Sequence, residues 1–228
     1  MTPSRRQFLL TGGAAATAGL AGCLGGNGVN LPDEVPSTAV TGVPIPDSPA
    51  DHEYETMGTA DGPTLTYYGN WKCPHCATFS TGALNELAAD YVEPGDLNLR
   101  FRAYTGFMGA DDTRAGKAGL AVWDVAPERY WTFHEYVMVN QPSSGREWAT
   151  TNWLTTAAEK VGVEDVDEVR SRITSDRYDD LLQRSIQDAQ AAGFSSTPTL
   201  AVDGRRLSHG GESLPQNTRD ALNQLAGR

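Results

Sequence analysis

Apolar residues follow two rhythms along this 228-residue chain, and the places where the rhythm changes divide it into elements. Thr64-Leu65-Thr66-Tyr67-Tyr68 is a short run of β-branched and aromatic residues and predicts a strand. From Pro74 the period becomes helical, with Cys76, Phe79, Ala83, Leu84, Leu87 and Tyr91 along one face. Residues 97–104, Leu-Asn-Leu-Arg-Phe-Arg-Ala-Tyr, then alternate strictly, as a half-buried strand does. From about 107 to 192 helical segments replace strands. Tyr130, Phe133 and Val137 follow Pro127, which suits a first helical turn, and Tyr178, Leu181, Leu182, Ile186 and Ala189 run to Gly193, a C-terminal cap. Thr199–Val202 and Arg205–Leu207 flank Asp203-Gly204, a pair that tolerates the positive φ angles of a two-residue hairpin turn. A last helix is expected from about Pro215 to Ala226. The predicted class is α/β, in the order β-α-β, helical insertion, β-β-α.

The first 23 residues do not belong to that pattern. They hold no acid and two bases, Arg5 and Arg6, followed by a Gly/Ala/Leu-rich stretch and Leu20-Ala21-Gly22-Cys23. A charged start, an apolar middle and a small-residue end describe an export signal. Ser4-Arg5-Arg6-Gln7-Phe8-Leu9-Leu10 resembles the twin-arginine signal, and residues 20–23 resemble a lipobox, which implies a lipid anchor on Cys23 and attachment to the outer face of the membrane. A plain signal peptide with an incidental Cys23 is the first alternative. An uncleaved anchor is the second, and it suffers from many glycines and a marginal length. Residues 24–55 are rich in Gly and Pro without a sustained apolar period and read as a flexible tether, leaving 56–228 as the folded domain.

Beyond residue 23 the chain carries 16 Lys and Arg against 29 Asp and Glu, a net charge of −13, which excludes nucleic acid as a natural partner. Its three lysines, Lys72, Lys117 and Lys160, sit among those acids. The acid-rich, lysine-poor balance resembles that of proteins from salt-saturated, haloarchaeal settings, where screening confines self-repulsion to a few ångströms.

With Cys23 assigned to lipid, Cys73 and Cys76 remain, either as a small local bridge or as a working redox couple. Cysteines at i and i+3 at a helix start lie on one face at a separation a disulfide can span. Cys73 falls at the cap, where free backbone N–H groups and the helix dipole favour a thiolate, and is the expected nucleophile. Cys76, one turn inside, suits the resolving role. Pro74 presets the helical φ, and His75 beside Cys73 stabilises the thiolate and so makes the disulfide a stronger oxidant.

Cys73-Pro74-His75-Cys76 is identical to the active-site motif of DsbA-type oxidoreductases, and the element order resembles theirs, a thioredoxin fold interrupted by a helical domain. Thr197-Pro198 is similar to the loop that sets a cis-proline against the redox pair across thioredoxin-like proteins, and the resemblance implies that the Thr197 backbone binds an extended substrate segment. Trp71, two residues before Cys73, would line a substrate groove or pack at the strand end. Members of the family often carry a buried acid six residues before the nucleophile, and this chain has Tyr67 there. The resemblance implies oxidation of exported protein thiols without a cofactor, by a monomer that a separate redox partner reoxidises.

Other readings stay open at this point. A zinc site wants four ligands, and no second Cys pair or paired His motif accompanies Cys73 and Cys76, so no metal is assigned. A reductase or isomerase of the same fold, or a binding module with a static Cys73–Cys76 bridge, would share the motif. His52 lies in the tether, His134 and His209 read as ordinary surface or boundary residues, and Trp123, Trp131, Trp148 and Trp153 as core.

Overall fold

The computed structural model describes residues 29–59, 62–143 and 145–228. The expected export signal, the lipobox and the first residues of the expected tether lie outside them. Strands β1 (Thr56–Met57), β2 (Thr64–Gly69), β3 (Asn98–Ala103), β4 (Thr199–Val202) and β5 (Arg205–Leu207) form one sheet in the order β1-β3-β2-β4-β5. Among the described residues only the β2–β3 pairing is parallel; Tyr67 lies between Phe101 and Leu200 in the register. Alternation on β3 puts Leu99, Phe101 and Ala103 in the core and leaves Arg100 and Arg102 half-buried. The β4–β5 turn has Asp203 at φ 48° and Gly204 at φ 72°, the geometry that the Asp-Gly pair forecast.

Helices α1 (Ala39–Gly42), α2 (Pro74–Thr81) and α3 (Ala83–Leu87) precede β3. The single helical face expected from Pro74 to Tyr91 is broken at Gly82, whose φ and ψ are −116° and −103°. A Cβ there would meet backbone atoms of Glu212 at 2.5–2.8 Å, and the Ala83 N–H donates to the Gly211 carbonyl at 3.0 Å. A distant loop, invisible to a local period, imposes the break.

The insertion consists of α4 (Asp112–Val125), α5 (Pro127–Val139), α6 (Thr151–Lys160), α7 (Val166–Thr174) and α8 (Asp179–Ala191), within the expected 107–192. The chain closes with α9 (Gln216–Leu225), which packs beside α3 through the Arg219–Glu86 ion pair.

The tether expectation is corrected for residues 29–55. Val40 is fully buried, Leu31, Val43 and Tyr54 nearly so, and α1 seats on α5. The Tyr54 hydroxyl donates to the Leu181 carbonyl at 3.1 Å and the Trp123 indole N–H to the His52 carbonyl at 3.1 Å. Irregular chain between prolines buries single side chains at uneven spacing, so its attachment leaves no period to read. Trp123, Trp131, Trp148 and Trp153 are all buried, as expected of core residues.

Candidate active site: the Cys73–Cys76 thiol pair

The pair stands at the carboxyl end of β2, where the chain leaves the sheet to start α2. Cys73 caps the helix with extended φ and ψ of −80° and 118°, Pro74 occupies the first turn, and the Cys73 carbonyl accepts from the N–H groups of Cys76 and Ala77 at 3.0 and 3.2 Å. Both thiols are free. Cys73 is 5% exposed at the surface and Cys76 is fully buried behind it.

Asn70 organises the approach. Its backbone N–H donates to the Cys76 sulfur at 3.4 Å, its carbonyl accepts from the Cys73 N–H at 3.1 Å, and its side chain accepts from the Lys72 N–H at 2.8 Å while donating to the Tyr104 carbonyl at 2.9 Å. Lys72, itself buried, pairs with Asp111, whose second oxygen accepts from the N–H groups of Trp148 and Ala149 at 2.8 Å each. Gln141, just past α5, donates to the Trp71 carbonyl at 2.8 Å. Asn70, Lys72, Asp111 and Gln141 carry no motif, and only their convergence from β2, α4 and α5 gives them a role in holding the loop.

Facing Cys73 is the loop before β4. The Thr197–Pro198 peptide bond is cis, and the Cys73 thiol donates to the Thr197 carbonyl at 3.4 Å. His75 and Thr78 on α2 and Ser196, Thr197, Pro198 and His209 on the other side line an open groove beside the pair. His209, read from sequence as an ordinary boundary residue, belongs to this groove. Its ring packs edge-on against Phe79 at 5.4 Å, and its pKa is lowered by burial, against a hydrogen bond with the Pro198 backbone. A lone histidine twelve residues beyond Thr197 gave no signal of that placement.

Trp71 is corrected. It is fully buried against Phe101, Phe133 and His134 at ring separations of 5.2–5.6 Å, and its edge lies on Gly119 of α4, where a Cβ would sit 2.5 Å away. It lines no groove. Burying an indole removes about 200 Å² from water, about 5 kcal/mol, far more than a shallow surface position returns.

The two sulfurs differ in acidity. The Cys73 thiol is pulled down to about 5: a hydrogen bond from the Cys76 thiol does most, burial opposes it, and Thr197 and the backbone N–H groups of Cys76 and His75 add to the lowering. Burial pushes Cys76 well above the ordinary thiol range, and the neighbouring Cys73 sulfur pushes it further. An acidic thiol on the outer side and a neutral thiol sealed behind it are the arrangement that suits a nucleophile and a resolving group. In the Cys23→Ser chain, the thiolate absorbance near 240 nm of the reduced protein should titrate with a midpoint near pH 5, and the Cys73→Ala variant should lose that transition. A midpoint near 9 would contradict the assignment.

Residues 53–220 match the family model described as Thioredoxin. The chain belongs to the thioredoxin family. Its free thiol pair at a helix start, opposite a cis-proline, makes this thioredoxin-family protein a thiol-disulfide oxidoreductase. It is 25% identical over 154 residues, 67% of this chain and 69% of the relative, to "Disulfide bond formation protein D" of Bacillus subtilis. In fold it is similar to the oxidised crystal structure of BdbD from Bacillus subtilis, with a TM-score of 0.70 and 21% identity over 77% of this chain and 94% of that one. The Chlamydia trachomatis DsbA structure is similar too, with a TM-score of 0.65 and 21% identity over 76% of this chain and 92% of that one.

Proposed function

We propose that this protein oxidises paired thiols of exported proteins outside the cytoplasm, held to the outer face of the membrane by a lipid on Cys23, in a high-salt setting. The placement of Cys73 carries the proposal: it is the outer sulfur of the pair, at a helix N-terminus, with Cys76 sealed behind it. A substrate thiolate attacks the Cys73 sulfur of the disulfide and Cys76 leaves. A second substrate thiol then attacks the substrate sulfur of the mixed disulfide, and Cys73 leaves as a thiolate. Stabilising the Cys73 thiolate stabilises the reduced protein, so electrons flow from substrate to enzyme. Thr197 and Pro198 face the attacked sulfur and are suited to hold an extended substrate segment by its backbone, and His75 lies in the same groove. A separate partner reoxidises the pair.

The reading of Cys23 rests on the lipobox-like residues 20–23, and the high-salt setting on the acidic composition. Among the described residues no helix is long and apolar enough to cross a membrane, which is compatible with attachment through lipid. Redox-buffer titration of the purified protein at high salt tests the direction. A potential near the DsbA value of about −120 mV is expected; one at or below thioredoxin's, about −270 mV, would turn the assignment to a reductase or an inert bridge.

A further inference from the structure

Every thiol exchange at this pair passes through a stage in which Cys76 carries negative charge inside the protein. When an incoming thiolate attacks the Cys73 sulfur, the Cys73–Cys76 bond breaks and its electron pair goes to the Cys76 sulfur, which is fully buried. A buried anion without donors is costly, and the backbone N–H of Asn70, at 3.4 Å, is a single donor.

Tyr67 stands beside that sulfur. It is fully buried in the middle of the sheet; its hydroxyl lies over Gly69 while the Cys76 sulfur accepts from the N–H of the next residue, Asn70, so both groups flank the same peptide at the end of β2, and each shifts the other's ionisation. In the dithiol form the hydroxyl has no hydrogen-bond partner among the described residues. Its ring is held by Phe79 at 4.9 Å and Phe101 at 5.0 Å, and its tip overlies Gly69, where a Cβ would come within 2.9 Å of the oxygen. Gly69 therefore keeps open the space that lets the phenol reach the carboxyl end of β2, where the cysteines begin.

We infer that the Tyr67 hydroxyl is a catalytic residue of this site, donating a hydrogen bond to the Cys76 thiolate as it leaves. The inference rests on the thiol-disulfide exchange proposed above, in either direction. The phenol keeps its own proton throughout: the thiolate is held as an acceptor and is later protonated by the proton that the second substrate thiol releases. The titratable groups around the hydroxyl are Cys76 and Cys73 at the start of α2 and His134 and Glu135 on α5; β3 and β4, its sheet neighbours, present Phe101 and Leu200. Glu135 Oε1 accepts from Ser80 and lies 3.2 Å from His134 Nδ1, while its Oε2 has no hydrogen-bond partner among the described residues. Burial, and then the Cys76 sulfur, push the phenol well above its ordinary value, so Tyr67 serves as a donor and not as a base.

The test uses the full chain in a Cys23→Ser background, with Tyr67→Phe, which keeps the ring. Glutathione is the probe, because its attack on the oxidised pair is the same elementary event whatever the physiological direction; the reduction potential tests direction separately. The rate constant should fall about tenfold, the share of a charge-assisted hydrogen bond developed at the transition state. In a further Cys73→Ala background the Cys76 titration should move to higher pH, while the Cys73 midpoint and the unfolding stability of the Tyr67→Phe chain stay as they were. An unchanged rate, or a slower rate with an unmoved Cys76 titration, would overturn the inference. So would a slower rate accompanied by lost stability or a moved Cys73 midpoint, the pattern of a packing role.

Discussion

Replacing Cys73 with serine should abolish disulfide exchange, with turnover falling by more than about 10³-fold, whereas Cys76→Ser should keep the attacking sulfur and trap it. The two sulfurs are not equivalent. Cys73 has the accessible edge, the helix N-terminus and the Thr197 carbonyl opposite, so a mixed disulfide can form there. Cys76 is fully buried and held as a neutral thiol, so it cannot substitute for a missing Cys73. In the Cys76→Ser chain Cys73 retains its cap and groove but has no internal partner, and covalent adducts with substrate should accumulate. Non-reducing electrophoresis and intact mass read both results: turnover with a reduced unfolded protein and glutathione disulfide as the oxidant, and adducts with a disulfide-bearing unfolded protein, whose bond the Cys73 thiolate of the Cys76→Ser chain opens as one substrate thiolate leaves. Adducts on Cys76 in the Cys73→Ser chain, or sustained turnover without Cys73, would reverse the assignment.

The second large effect concerns stability. Glu55, the residue before β1, is 1% exposed, and neither carboxyl oxygen has a hydrogen-bond partner among the described residues. Its surroundings are Tyr130 on α5 and, from α4, Gly119, where a Cβ would lie 3.1 Å from one carboxyl oxygen. Burial pushes its pKa from 4.5 up to about 8, and the nearby backbone and the Tyr130 hydroxyl oppose that only weakly. The folded protein therefore holds a proton that the unfolded chain releases at lower pH. The resulting stabilisation is fully present below about pH 4.5 and is lost as the pH rises through about 8. Over that interval it amounts to on the order of 4 kcal/mol, a large part of a domain's stability.

Glu55→Gln keeps the shape and removes the titration. Guanidinium unfolding of the disulfide form at pH 5, 6.5 and 8 should show wild type weakening with pH and the variant flat, the two meeting at the acid end. The disulfide form is the right one, because the reduced protein adds an opposite trend from Cys73. That thiol's lowered pKa gives stability present above its unfolded value of 9 and lost as pH falls through about 5. Parallel curves for wild type and variant would mean that Glu55 is ionised in the fold.

How much of this was legible in the chain depends on whether a feature is local. The alternation of Leu99, Phe101 and Ala103, the turn at Asp203-Gly204, and the helix start at Cys73-Pro74 each follow from steric and capping preferences within a few residues, and the structure keeps them. That Cys73 is the more acidic thiol was legible for the same reason, because Cys76, which lowers its pKa most, stands three residues away and the first backbone N–H groups of the helix add to the effect. The break at Gly82 was not, since it follows from the backbone of Glu212, 130 positions away. Nor was the inward turn of Trp71, which depends on the missing side chain of Gly119 on a helix of the insertion.

The sequence by itself determined the order of elements, the helix-capping Cys73 with Cys76 one turn behind it, and the acidic surface, because periodicity, capping and charge act over short spans or simply add. Tertiary structure decided which groups surround the buried sulfur and how the early segment is held. Tyr67, which faces the end of β2 where Cys76 sits, meets His134 and Glu135 of an inserted helix, and residues 29–55 attach through isolated apolar side chains. Burial energies and ionisation depend on every neighbour that excludes water, and those neighbours come from parts of the chain whose local patterns carry no record of one another.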